Sequence, residues 1–459
     1  MSVDRNRPEP IHGQVEAGLR SAIRSGRLAA GELLPSSRLL AEELGVSRGL
    51  VQGCYEQLVA EGYLAARTGS GTRVADRAGT PAPAHPPVPP VSPRFAVAEF
   101  RPSVPDLASF PRQAWARSGQ QALTQLGNAS LGYPDPAGSP AARTVLADYL
   151  RRVRAADTTP DRVVLCSGFA QGLSLTVRTL AARGLTDVAV EDPGYGPDDG
   201  LQARALAVAG VRLHRVPVDE HGLDVDALAR TPARVVVVTP AHQSPTGVLL
   251  GPQRRQALLG WAESRDAYVI EDDYDSEFRY DRQAIGTLQG LGSRRVFLVG
   301  TASKTLAPAL RIGWVLAPPE WARALVETKE LDDRGSPTLN QETFAVMVRS
   351  GRYDRHLRVM RRRYLQRRDL LVTLLAGHAP HLRVSGLAAG LNLVTHLPRS
   401  TSESVVIEEA AARGVGLYGM NRYLARPSAA DPRLVLGFGN TSDREIRAGL
   451  TAIADLLHP

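Results

Sequence analysis

Between Ile11 and Val74 the apolar positions follow helical periods and then a strand period. Val15, Leu19, Ile23 and Leu28 sit near helical spacing, Gly31 and Pro35 interrupt, and Leu39, Leu40 and Leu44 open a second amphipathic segment. Gly45 ends that segment, Ser47 can cap the next, and Leu50, Val51, Tyr55, Leu58 and Val59 predict a third helix with a buried stripe. The stretch YLAARTGSGTRVA, residues 63–75, predicts two short strands around a Gly-Ser-Gly turn.

From about Phe100 the pattern changes to helices alternating with short apolar runs: RVVLCS (162–167), DVAVED (187–192), RVVVVTP (234–240), AYVIEDD (267–273) and RVFLVGT (295–301). Such alternation predicts an α/β domain with a mostly parallel central sheet covered by helices on both faces. Long Arg-rich helices follow after about residue 325, then weaker strand signals at LNLVTHL and RLVLGF, which predict a small C-terminal α+β subdomain. The two parts meet at TPAPAHPPVPPVSP, residues 80–93, where proline density forbids helix or central strand and favours an extended spacer. The expected domains are therefore 1–75, a linker over 76–97, and 98–459.

Length agrees, since 459 residues exceed one usual domain. No apolar run is long enough to span a membrane, and MSVDRNRPEP has no apolar stretch behind its arginines, so no membrane partner and no secretory signal are expected. Two cysteines, Cys54 and Cys166, make no disulfide framework, and cytoplasm is the expected compartment. The net charge of +8 suits a polyanion, yet residues 1–75 carry nine arginines against eight acids, so charge alone does not locate a nucleic-acid site. Lysine occurs only at Lys304 and Lys329, against 53 arginines. Arginine forms no Schiff base, so a lysine retained in such a chain points to amine chemistry. Lys329, among the acids of LVETKELDD, reads as a surface ion pair. The run RSGRYDRHLRVMRRRYLQRRD reads as an exposed helix face rather than a second nucleic-acid surface. No metal site is expected.

Helix, helix, short Gly turn, helix and hairpin is the winged helix-turn-helix order, whose third helix enters the DNA major groove. Ser47 and Arg48 start that helix, where a hydroxyl and a guanidinium suit phosphate and guanine. Ser36, Ser37 and Arg38 start the preceding helix and are placed for backbone phosphate; Gly69, Ser70 and Gly71 form the wing. Residues 10–74 resemble, essentially end to end, the DNA-binding domain of the GntR family of bacterial transcription regulators, which implies double-stranded operator DNA as a partner. A small helical protein-interaction module is the alternative.

In the large part, GTASKTLAPALRIGW places Lys304 just past a strand, with Thr301 and Ser303 before it and Arg311 seven residues on, a set suited to a phosphate dianion. AYVIEDDYDSEF ends a strand on Asp272 and Tyr274. CSGFAQGL is a strand-to-helix turn whose Ala170 and Gln171 amides can donate to phosphate, and EDPGYGP offers Tyr195 as a stacking ring. Together these motifs resemble the fold type I aminotransferases over nearly all of residues 98–459. The resemblance implies pyridoxal 5′-phosphate as cofactor. It makes Lys304 the catalytic lysine of the aldimine, Asp272 the partner of the pyridine nitrogen, Tyr274 the O3′ contact and Tyr195 the stacker. Ala170, Gln171, Thr301, Ser303 and Arg311 become the phosphate cup. Two departures stand out: Ser244 in HQSPTG, beside His242, replaces an Asn common in the family, and LVLGFGN lacks the usual carboxylate-binding Arg. Arg422, with Arg433 second, is the substitute for gripping a ligand carboxylate.

A GntR reader joined to an aminotransferase-like body resembles the MocR (GabR-like) subfamily of regulators. The resemblance implies a homodimeric, pyridoxal-phosphate-dependent transcription factor that senses the cofactor or an amino compound through aldimine formation at Lys304. The alternatives are an active aminotransferase carrying an accessory DNA-binding domain, and a sensor of pyridoxal phosphate alone.

Overall fold

The computed structural model describes residues 3–67, 71–76, 95–194, 200–280 and 285–458. The chain divides into two compact units, Met1–Ser92 and Pro93–Pro459. Most of the expected linker (77–94), the wing residues Gly69 and Ser70, and Tyr195 lie outside the described residues.

The first unit contains α1 (Ile11–Arg24), α2 (Ser37–Leu44), α3 (Arg48–Ala60) and an antiparallel hairpin of β1 (Leu64–Arg67) and β2 (Gly71–Val74), with Leu64 opposite Val74. Its core is Val15, Leu19, Ile23, Leu40, Val51, Cys54, Tyr55, Leu58, Leu64 and Val74. Fully burying one such aliphatic side chain contributes roughly 1.5–3 kcal/mol. Leu39 departs from the expected stripe at 51% exposure. Adjacent helical residues point about 100° apart, and Leu40 takes the inward position. Gly45 ends α2 at φ +64°, a left-handed conformation that a β-carbon disfavours. The Tyr55 hydroxyl donates to the Pro35 carbonyl at 2.9 Å, tying α3 to the start of α2.

In the second unit the strands are β3 (Ala98–Glu99), β4 (Val163–Cys166), β5 (Asp187–Asp192), β6 (Arg212–Asp219), β7 (Gly222–Leu223), β8 (Val235–Val238), β9 (Tyr268–Asp273), β10 (Val296–Thr301), β11 (Gly313–Leu316), β12 (Arg383–Ser385), β13 (Asn392–His396), β14 (Val415–Gly416) and β15 (Arg433–Gly437). The helices are α4 (Arg112–Gln125), α5 (Pro140–Arg154), α6 (Phe169–Ala181), α7 (Leu201–Ala207), α8 (Val225–Ala229), α9 (Pro252–Ser264), α10 (Ala322–Asp333), α11 (Thr338–Arg349), α12 (Arg352–His378), α13 (Glu403–Ala412) and α14 (Asp443–Ile453).

The main sheet has the order β4-β11-β10-β9-β8-β5-β6-β7. Pairs from β10 through β6 are parallel, whereas β11 runs antiparallel between β4 and β10. Every residue of β4, β8, β9, β10 and β11 is buried. That is why β4, β8 and β10 read as apolar runs rather than as alternation. Alternate side chains feed separate cores on the two faces: Val235 and Val237 enter one, Val236 and Val238 the other. A smaller antiparallel sheet, β12-β13-β15, forms the expected C-terminal α+β part.

Candidate functional site

In an open parallel sheet, ligands bind beyond the carboxyl ends of the strands. Here the chain leaves β4, β5, β8, β9 and β10 around a cavity of about 560 Å³, lined among others by Ala170, Glu191, Thr239, Asp272, Thr301 and Lys304. Tyr274, Ser303, Arg311 and Arg422 line it as well.

The run Glu271, Asp272, Asp273 at the end of β9 is sorted by strand alternation. Glu271 accepts the backbone amides of Leu288 and Gln289, both at 3.0 Å, and Asp273 accepts Arg154 through two contacts of 2.9 Å. Asp272 points the other way, into the cavity, and its buried Oδ1 has no hydrogen-bond partner among the described residues. Burial first, then the nearby Asp273, Asp275 and Glu191 carboxylates, raises the Asp272 carboxyl well above its usual range, and Lys304 opposes the shift. Burial also holds the Lys304 ammonium below its ordinary range, against the pull of Asp275 and Asp272. A larger fraction of its amine is therefore neutral and nucleophilic.

The start of α6 has the features of an anion site. Gly168 precedes the helix at φ +92°, no side chain caps the first turn, and a β-carbon built on Gly168 would lie 3.4 Å from the Arg311 guanidinium. A β-carbon on Gly313 would meet the Gly168 backbone at 2.6 Å, so only glycine lets β11 pass this close. Free first-turn amides beside an arginine favour a phosphate. The Thr301 hydroxyl, 2.9 Å from Ser303 Oγ, completes that wall.

Arg433, expected in the site, does not line the cavity; Gln171, expected there through its backbone amide in the first turn of α6, turns only its side chain away. The Gln171 carboxamide turns back to the Ser167 amide, Asp332 and Asp333, at 2.7, 2.9 and 2.9 Å. Arg433 opens β15 and pairs with Asp431 at 3.2 Å. Arg422 reaches the cavity from a turn at Met420–Tyr423 that is fixed twice. Buried Glu403 accepts the Asn421 amide at 3.0 Å, and the Gly194 amide donates to the Tyr423 carbonyl at 2.8 Å. The Arg422 guanidinium lies 5.6 Å from the Tyr418 ring centroid.

Lys329 corrects another expectation. It pairs with Asp333 at 2.7 Å, four residues on, but the pair is not on the surface: the lysine side chain is 0% exposed and also donates to Ser336 at 3.0 Å. The acidic neighbourhood pointed to an ion pair; packing of α10 against the rest of the body shows which acid and that the pair's lysine is buried.

Two residues of the site went unassigned from sequence. Glu191 is buried, and its Oε2 accepts the Thr239 amide at 3.2 Å, the Thr239 hydroxyl at 2.5 Å and Gln243 at 3.2 Å. Desolvation pushes this carboxyl up to about 7. His242 lies under Tyr274, with Nδ1 3.0 Å from Asp275 and 3.1 Å from the phenol oxygen, while the phenol donates to the His242 carbonyl at 3.0 Å. Glu191 had a signal, an acid at a strand end; His242 had none beyond its place beside Ser244.

In the reader unit, Ser36 and Ser47 accept the Leu39 and Leu50 amides at 3.3 and 3.2 Å, so both cap helices. Capping uses their lone pairs and leaves the O–H free to donate to phosphate. Ser37 is half-buried; Arg38, Arg48 and Gly71 are exposed.

This fold and site define a fold type I aminotransferase body attached to a winged helix-turn-helix. The family model for aminotransferase class I and II matches residues 103–425, and that for bacterial regulatory proteins of the gntR family matches residues 11–74. The chain is 33% identical to a probable rhizopine catabolism regulatory protein, MocR, of Rhizobium meliloti, over 98% of this chain and 94% of that one. It is 32% identical to the pyridoxine biosynthesis transcriptional regulator PdxR of Corynebacterium glutamicum, over 99% and 98%. The body superposes on a multiple substrate aminotransferase from Thermococcus profundus with TM-score 0.71 and 25% identity, covering 79% of this chain and 91% of that one. The chain belongs to the MocR-type GntR-family transcription regulators, with a DNA-binding domain followed by a class I and II aminotransferase domain.

The cofactor of that aminotransferase fold is pyridoxal 5′-phosphate, and the residues present fit it. An orphaned buried carboxylate at Asp272 calls for a cationic N–H, the start of α6 with Arg311 calls for a dianion, and Lys304 supplies the amine.

Proposed function

We propose that this regulator binds pyridoxal 5′-phosphate in the cavity at the sheet ends and changes its operator affinity when an amino compound enters the same cavity. The observation that carries the reading is the unpartnered, buried Oδ1 of Asp272 sharing one cavity with a lysine whose amine is held partly neutral. When bound, the cofactor supplies an aldehyde that bonds reversibly to a primary amine.

The chain's own residues divide the work. Asp272 keeps a proton at the pyridine nitrogen, and Lys304 offers its amine and takes a proton when displaced. Ala170, Thr301, Ser303 and Arg311 hold the phosphate, with the Gln171 amide beside them. Tyr274 orients toward O3′, supported by His242, and Tyr195 stacks on the ring. Arg422 draws an effector carboxylate, which makes an amino acid or a related amino carboxylate the favoured effector. Arg38, Ser36, Ser37 and Gly69–Gly71 grip DNA phosphates, and Ser47 and Arg48 address the groove. Residues 1–75 act as reader, 76–97 as spacer and 98–459 as sensor, in a cytoplasmic homodimer whose two readers address paired half-sites.

An effector shifts operator binding only by its difference in affinity between the two states. Binding of the full chain to duplex from upstream of its own gene is measured at one salt concentration, with and without cofactor and a panel of amino acids. A response to an amino acid only in the presence of cofactor is expected. A response to cofactor alone would make the protein a cofactor sensor. Indifference to every addition, together with turnover of an amino donor and a keto acid, would replace this reading with an enzyme.

A further inference from the structure

Helix α3 turns Val51, Cys54, Tyr55 and Leu58 into the core of the reader. The opposite face is fully outward, and along it Arg48, Gln52 and Glu56 recur at four-residue steps, all exposed. The Gln52 carboxamide is not free to rotate at random: its Nε2 donates to Glu56 Oε1 at 3.1 Å. An amide nitrogen carries two hydrogens. One is taken by Glu56, and the carboxamide keeps a second hydrogen and Oε1, a donor and an acceptor in one plane.

That pair matches the major-groove edge of adenine, where N7 accepts and N6 donates. The flanking residues on the same face are Gly49 and Gly53, and a β-carbon built at either meets nothing within 4 Å. Packing therefore does not require glycine there, although glycine weakens a helix interior. Bare backbone beside Gln52, at Gly49 and Gly53 on one flank, lets the helix approach base edges closely.

We propose that Gln52 is a specificity-determining residue that reads adenine in the major groove. The inference rests on the gntR-type unit binding DNA through α3. Four residues of helix rise about 6 Å, and base pairs stack about 3.4 Å apart, so the adenine lies about two base pairs from the guanine read by Arg48.

The experiment is selection of duplexes from a random pool by the full-length protein at fixed salt, comparing wild type with Gln52→Ala and Gln52→Glu. Each variant's fold is checked by circular dichroism. The expected wild-type result is an adenine preference about two base pairs from a guanine. In Gln52→Ala that adenine preference falls roughly 5- to 150-fold while the guanine is kept, since one bidentate base contact is worth about that much discrimination. Gln52→Glu loses the adenine too, because a carboxylate cannot donate to N7. Retention of the wild-type pattern by Gln52→Ala, or an equal loss at every position, overturns the assignment. A pool that the wild type itself leaves unenriched overturns sequence-specific DNA reading by α3 and this inference with it.

Discussion

Replacing Glu191 by Gln tests whether the cavity wall is as dry as its geometry implies. Oε2 of Glu191 accepts three hydrogen bonds, yet desolvation outweighs them and lifts the carboxyl from 4.5 to about 7. A group whose folded pKa is raised binds more protons in the native than in the unfolded chain between those two values. Stability therefore falls as pH rises through that window, and the cost is complete above about pH 7. At 1.36 kcal/mol per pH unit, the rise corresponds to about 3 kcal/mol. Glutamine keeps an acceptor for Thr239 and Gln243 but has no charge to desolvate. The assay is the urea midpoint of the body's transition for wild type and Glu191→Gln between pH 4.5 and 8. Any constant offset from the new amide cancels when the two ends are compared. The variant is expected to gain up to about 3 kcal/mol on wild type across that range, with the gain at the alkaline end. Glu271 and Glu277, also pushed up to about 7 chiefly by burial, give both proteins a common slope. A stability difference that does not change with pH would refute the argument.

Three further outcomes are expected. Lys304→Ala removes the absorbance that marks cofactor bonded to the protein, measured on dialysed protein after loading with pyridoxal phosphate; unchanged absorbance would sink the lysine assignment. Arg154→Ala strands the buried Asp273 carboxylate and destabilises the body by roughly 3–5 kcal/mol in urea unfolding, because breaking a buried pair leaves a charge without compensation. Neither cysteine reacts with a thiol reagent at pH 8 until the protein unfolds, since both are buried and burial pushes the Cys166 thiol up to about 12 and raises that of Cys54; prompt labelling of the native protein would contradict this.

Local chemistry was legible along the chain. Ser47 as a cap, Gly45 as a helix stop, and the runs that became β4, β5, β8, β9 and β10 follow from side-chain period and backbone preference, which act within a few residues. The short strand β11 escaped, because its place between β4 and β10 is set by pairing with segments far away in sequence. Lys304 stood out because the chain uses lysine twice and its motif differs from the acidic surroundings of Lys329, but no local signal showed that Lys329 is buried as well. Packing put Lys329 against Asp333 and Ser336, and opened the cavity at Lys304.

The sequence alone thus determined the two-part architecture, the order of elements, and the residue types that cofactor and DNA chemistry require. Tertiary structure decided that Arg433 stands outside the cavity, that Glu191 lines it, and that His242 lies behind it against Tyr274. The division has one physical reason. Periodicity and capping are properties of neighbouring residues, whereas solvation and charge pairing depend on what the folded chain brings within a few ångströms, and those neighbours lie tens to hundreds of residues apart.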